Sequence, residues 1–133
     1  IAFYGDVLKS RVFRSNVHLA KSLGWEVAVT DDSRIETANC TKELDLHLVS
    51  KESLKNFDVV YALRTQKERG GQKSLEAFPK KFLGEEAFLM HAGPVLREDD
   101  LSSEWEDFSA PPSLILKQVQ NCYFIRRQLL QNL

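Results

Sequence analysis

Cysteine is scarce in this chain. Cys40 and Cys122 are the two in 133 residues, far apart, with no CxxC pairing and no histidine-rich neighbourhood. Neither a disulfide framework nor metal-ligand spacing is on offer, and a reducing compartment suits the pair as small packed side chains. Long apolar runs are missing as well: none approaches the roughly 20 residues of a bilayer-spanning helix. With no visible secretory signal, a cytoplasmic protein without membrane attachment is expected. Charge of one sign is not in excess, since 18 basic residues face 19 acidic ones for a net charge of −1. No broad basic field exists to hold a phosphate backbone, so nucleic acid is not an expected partner. Repeats and low-complexity tracts are absent too.

What remains is ordinary globular material. Hydrophobic residues make up 43% and charged residues 28%, and 133 residues fit one domain that buries roughly two-thirds of its unfolded surface. The chain opens at Ile1, already inside an apolar run and without an initiator methionine, so residues 1–133 are expected to be one domain of a longer polypeptide.

Along the chain, apolar runs alternate with helical spacing. Ile1–Tyr4 reads as a strand ending at Gly5-Asp6, followed by a helix with Phe13, Val17, Ala20 and Leu23 on one face and Gly24 as its cap. Trp25–Thr30 reads as a second strand. A helix around 34–43, a short strand near Leu46–Val49 and a brief helix from Glu52 follow. Asp58–Leu63 is almost continuously apolar, as a parallel strand buried on both faces requires, and Ala87–Met90 gives another. Pro111-Pro112-Ser113 opens the clearest helix, with Ile115, Val119, Cys122, Ile125, Leu129 and Leu133 at helical spacing. Strands alternating with helices predict an α/β domain: an open parallel sheet with helices on both faces.

In such sheets ligands bind beyond the carboxyl ends of the strands, so the residues after each strand carry the information. After the first strand, Gly5–Arg11 holds a single glycine where a dinucleotide site would show GxGxxG. It offers Ser10 and Arg11 near a helix N-terminus, where backbone N–H groups favour anions; a surface arginine without a ligand is the plainer alternative. Arg64, directly after the Asp58–Leu63 run, can hold a carboxylate with both arms of its planar fork. Gln66 adds a neutral donor and acceptor, and Glu68 can steady an arginine. A solvated charge run is the alternative here. At His91-Ala92-Gly93-Pro94 a tight turn permits close backbone approach, and its Gly-Pro bond is a candidate for the cis form. His91 itself is more often structural than catalytic. Two arginines, an amide and a carbonyl-lined turn together suit a small dianion better than a nucleotide.

These motifs resemble a known family. Gly5-Asp6-Val7-Leu8-Lys9-Ser10-Arg11-Val12-Phe13-Arg14-Ser15-Asn16 is similar to the GD-x-x-x-SRVxRSN segment of bacterial aspartate carbamoyltransferases. Tyr61–Arg69 looks like their Y-x-x-R-x-QxER motif, and His91–Pro94 like their HPGP turn. Gln118-Val119-Gln120-Asn121 and Arg126 resemble the start of the C-terminal helix, so the matches keep their order from end to end. The DVWxSMG-like segment and HCLP turn of the ornithine enzymes are not found.

The resemblance implies a Rossmann-like aspartate-binding domain. It implies that Arg11 grips the α-carboxylate of L-aspartate, Arg64 and Gln66 the β-carboxylate, and the backbone of Ala92, Gly93 and Pro94 the carbamoyl group. Ser10, Glu68 and His91 support them. It also implies carbamoyl transfer from carbamoyl phosphate to aspartate on the route to pyrimidines, without metal or organic cofactor. The family's phosphate-binding S-T-R-T is not among these residues, so an N-terminal carbamoyl-phosphate domain of the same polypeptide and a homotrimer are implied partners, and the domain alone should be inert. Three positions depart from the pattern: Ala92 stands for a proline, Val95-Leu96-Arg97-Glu98 replaces xNRGxE, and Cys122 replaces a glycine. A transcarbamoylase-like binding or assembly module without turnover is the competing expectation.

Overall fold

Side chains of a strand point to opposite faces in turn, and the first apolar run is written for a sheet covered on both sides. Ala2 and Tyr4 face one way and Phe3 the other, and all three are buried. The computed structural model describes residues 1–30, 35–66, 76–96 and 99–132. It places this run as β1 (Ala2–Gly5) at the centre of a parallel sheet. The other strands are β2 (Ala28–Thr30), β3 (His47–Val49), β4 (Val59–Leu63) and β5 (Phe88–His91). Their order is β3-β2-β1-β4-β5, every pairing parallel.

The parity of β1 runs through its neighbours and sorts the core into two layers. Phe3, Val29, Tyr61 and Leu63 meet Phe13, Val17 and Ala20 of α1 (Phe13–Ser22), together with Cys40 of α2 (Ile35–Glu43). Ala2, Tyr4, Ala28, Val60, Ala62 and Leu89 face the opposite layer. There Leu54 of the 3-10 turn Glu52–Asn56, Phe82 of the 3-10 turn Lys80–Phe82, and Phe78, Leu101, Trp105 and Ile115 cover them. Ile115 is the first residue of α3 (Ile115–Gln131). The α/β fold with an open parallel sheet is therefore as expected, with α-helices on one face and 3-10 turns, loop residues and the start of α3 on the other. Phe78 anchors the second layer, with its ring 5.0 Å from Tyr4 and 6.3 Å from Trp105, whose Nε1 donates to the Phe78 carbonyl.

Helix ends follow local chemistry. α1 stops in a two-bond C-terminal motif: Gly24 N–H donates to Lys21 O and Trp25 N–H to Ala20 O, with Gly24 at φ +74°. Leu23, the fourth position of the apolar spacing, falls at this cap and is 56% exposed. Arg14 reaches from α1 to both carboxylate oxygens of Glu43 on α2, at 2.9 and 3.1 Å.

Three expectations need adjusting. β2 occupies only the second half of Trp25–Thr30, and Trp25 is half-exposed ahead of it. β5 is one residue later than the apolar run suggests, and as an edge strand it leaves Phe88 exposed. The long C-terminal helix forms, but past Ile115 its apolar residues Val119, Ile125 and Leu129 are all more than 60% exposed. Helical spacing predicts a helix with an apolar side; it does not supply something for that side to pack on.

Candidate functional site

β1 lies between β2 and β4, so the chain runs outward to β3 on one side of β1 and then returns to build β4 and β5 on the other. That reversal opens a crevice at the carboxyl ends of β1 and β4. Register fixes what borders it, because Gly5 pairs with Leu63 and Ala62 with His91. The segments Asp6–Arg11, Arg64–Gln66 and Ala92–Pro94 therefore leave the sheet side by side on one edge, which is the grouping the sequence predicts.

The loop after β1 is wound around Asp6. Its Oδ1 accepts the Lys9 N–H at 3.2 Å and its carbonyl accepts the Ser10 N–H at 3.2 Å. Gly5 holds φ +115°, and a Cβ there would stand 2.8 Å from Leu63 O. Asp6 is 2% exposed and its Oδ2 has no hydrogen-bond partner among the described residues. With Thr65, Glu76, Asp99 and Asp100 it borders a cavity of about 10 Å³, room for about one water. Tyr4 seals the wall, its hydroxyl donating to Glu76 O at 2.7 Å; burial first, and the charge of Glu76 second, push its pKa up.

Arg11 is exposed and Ser10 half-buried in the turn that precedes α1, whose N-cap residue Val12 makes no side-chain cap bond among the described residues. Arg64 is half-buried immediately after β4, and Thr65 and Gln66 beyond it are buried. Glu68 lies outside the described residues.

The turn after β5 is built from its own histidine. The Gly93-Pro94 bond is cis and Gly93 has φ +48°. Gly93 donates its N–H to His91 Nδ1 at 2.9 Å, and His91 N–H donates to Gln118 Oε1 at 3.0 Å. Because Nδ1 accepts, the neutral ring carries its proton on Nε2. That atom stands 3.5 Å from Asp100 Oδ2, at the outer limit of a hydrogen bond, with both side chains fully buried. His91 is thus a structural residue of the turn. Gly93 and Pro94 are exposed and Ala92 half-buried, leaving this backbone open to a ligand.

Asp100 was not singled out by sequence, because the acidic stretch after the turn reads as a solvated loop. Its Oδ1 accepts Thr65 N–H at 2.9 Å and its Oδ2 accepts Leu96 N–H at 3.1 Å. Burial opposes its charge most strongly, yet the His91 ring facing it and the bonds from Thr65 and Leu96 outweigh it and hold the carboxyl below its ordinary pKa. The only hint in the sequence is an aspartate directly before an apolar Leu101.

Although four acidic residues border the small cavity, no group of three or more His, Cys, Asp or Glu among the described residues is arranged to hold a metal ion. No helix among them is long and apolar enough to cross a membrane. A wider concavity of about 710 Å³ runs along α3 beside Val119, Tyr123, Arg126 and Leu130, none of which follows a strand.

No family model matches the chain. It is 37% identical to the aspartate carbamoyltransferase catalytic subunit of Koribacter versatilis, covering 100% of this chain and 48% of that one. The subunit of the same description from Solibacter usitatus is 34% identical, over 98% and 47% respectively. That from Agrobacterium fabrum is 33% identical, over 100% and 46%. A crystal structure from Trypanosoma cruzi, provisionally assigned as an aspartate carbamoyltransferase, aligns with 90% of this chain and 38% of its own at 20% identity, with a TM-score of 0.48. The chain spans about half the length of the curated relatives it matches.

Proposed function

The chain is a homologue of aspartate carbamoyltransferase catalytic subunits, matched along its own whole length, and from that premise we propose that it is the aspartate-binding half of such an enzyme. The observation that carries the reading is the row of loops at the chain reversal. Arg11, Arg64 and Gln66, and the Ala92–Pro94 turn leave β1, β4 and β5 on one edge of one sheet. The 10 Å³ cavity beneath is too small for an amino acid, so the diacid lies in the open crevice above it.

In this reading Arg11 takes the α-carboxylate of L-aspartate, and Arg64 with Gln66 takes the β-carboxylate, each guanidinium forming charge-assisted bonds. Ser10 and His91 support the two loops. Exposed carbonyls of the Ala92–Pro94 turn accept hydrogen bonds from the carbamoyl –NH₂. The neutral α-amine then attacks the carbonyl carbon of carbamoyl phosphate, a tetrahedral intermediate forms, and phosphate departs with the C–O electron pair as the amine gives up a proton. Orientation does most of the work, worth up to roughly 7–11 kcal/mol in the best intramolecular cases. Phosphate binding falls to an N-terminal domain of the same polypeptide, in a cytoplasmic homotrimer serving pyrimidine synthesis.

Calorimetry of the complete polypeptide with a bisubstrate mimic joining a phosphonate to aspartate tests this. Tight binding is expected in the wild type, with a loss of roughly 1.5–3 kcal/mol or more in Arg64→Ala. Unchanged affinity in that variant removes Arg64 from the site. A second reading, an assembly module without turnover, draws on Ala92 and Leu96, which break the family's turn pattern. Steady-state formation of N-carbamoyl-L-aspartate excludes it.

A further inference from the structure

The two loops assigned to aspartate and to the carbamoyl group belong to different strands, and one side chain joins them. Asp100 lies 35 residues from Thr65 in sequence, yet its Oδ1 accepts the Thr65 N–H, directly between Arg64 and Gln66. Its Oδ2 accepts Leu96 N–H and faces His91 Nε2, at the two ends of the Ala92–Pro94 turn. We propose that Asp100 is a positioning residue that locks the Arg64–Gln66 segment to the His91–Leu96 turn, so that the acceptor and donor subsites are held as one unit. The proposal rests on the substrate roles given above, while the linkage itself is independent of them.

The argument turns on donors and acceptors. Two backbone donors from two loops, Thr65 N–H and Leu96 N–H, bond opposite oxygens of a fully buried carboxylate that His91 Nε2 faces at 3.5 Å, and only a group with acceptors on both oxygens satisfies them. An asparagine has the same shape but a single acceptor oxygen. If that oxygen stays on Thr65, the –NH₂ opposes both Leu96 N–H and the Nε2–H of His91. His91 cannot move its proton to relieve this, because Nδ1 already accepts Gly93 N–H. If the amide flips instead, Thr65 loses its acceptor. Either orientation breaks one of the two side-chain contacts between the loops, and the first leaves the turn held to residue 100 only through its backbone N–H on Leu96 O.

The wild-type complete polypeptide, labelled with ¹⁵N-histidine and assigned by the signal lost in H91Q, gives the first test. A pyridine-like Nδ1 and a protonated Nε2 are expected; a protonated Nδ1 overturns the linkage. The second test is affinity for the phosphonate–aspartate mimic. D100N, folded by circular dichroism, is expected to bind on the order of tenfold or more weakly, as loss of a hydrogen bond to a charged group implies. A merely structural role would lower the thermal midpoint and leave the affinity of the folded protein in place, and unchanged affinity overturns the proposal. Should D100N not fold, H91Q replaces it with the same expectation and the same overturning result. Wild-type protein that binds neither aspartate nor the mimic sinks the function proposed above, and the tautomer still decides whether the linkage exists.

Discussion

At Gly5 the end of β1 meets the end of β4 with no room for a methyl group, and its φ of +115° is strained for any L side chain. Gly5→Ala is expected to destabilise the fold by about 1–3 kcal/mol, the usual cost of such strain, read as a lower urea midpoint. Asp100 makes a prediction about pH. Its folded pKa lies below the ordinary carboxylate value, so its contribution is present above an unfolded pKa of about 3.9 and is lost as pH falls through the folded value. Urea unfolding across that window should show stability dropping with acid, and less steeply in D100N. These residues differ in how far sequence reveals them. Arg11, Arg64 and Gln66 are legible because a buried parallel strand announces its own carboxyl end. Asp100 is not: its burial depends on Thr65 after β4 and His91 at the end of β5, and beyond the apolar Leu101 that follows it nothing in its own segment signals that.

Among the elements, the second core layer is the vulnerable one, since turns and loop residues rather than long helices cover it. Phe78 is fully buried between Tyr4 and Trp105. Phe78→Ala should cost about 3–5 kcal/mol by chemical denaturation, the range for emptied aromatic sites. α3 divides sharply along its length. Ile115→Ala should cost about 2–5 kcal/mol, because Ile115 is 6% exposed in that layer. Tyr123→Ser or Leu130→Ser, both on the exposed part, should change the stability of this chain by no more than about 0.5 kcal/mol. Equal losses at Ile115 and Leu130 would contradict that division. Element type was legible from periodicity, which is a local property. The lengths of β2 and β5 were not, because a strand extends only as far as its neighbour offers backbone partners.

For the molecule as a whole, the chain reversal at β1 decides where chemistry can occur, and it is a property of strand order that no single segment encodes. The match to about half the length of the catalytic subunits sets a further expectation under the proposed function. Residues 1–133 expressed alone should form no N-carbamoyl-L-aspartate, and the complete polypeptide should; turnover by the isolated chain would overturn the division into two substrate-binding halves. The two tryptophans, finally, make the molecule its own optical probe. Trp105 is 3% exposed beneath Lys80 and against Phe78, while Trp25 is 50% exposed beyond the cap of α1. Iodide should quench the red-shifted emission of Trp25 and spare the blue-shifted emission of Trp105. Loosening of the loop-covered layer can then be followed by fluorescence separately from events at the rim of the sheet.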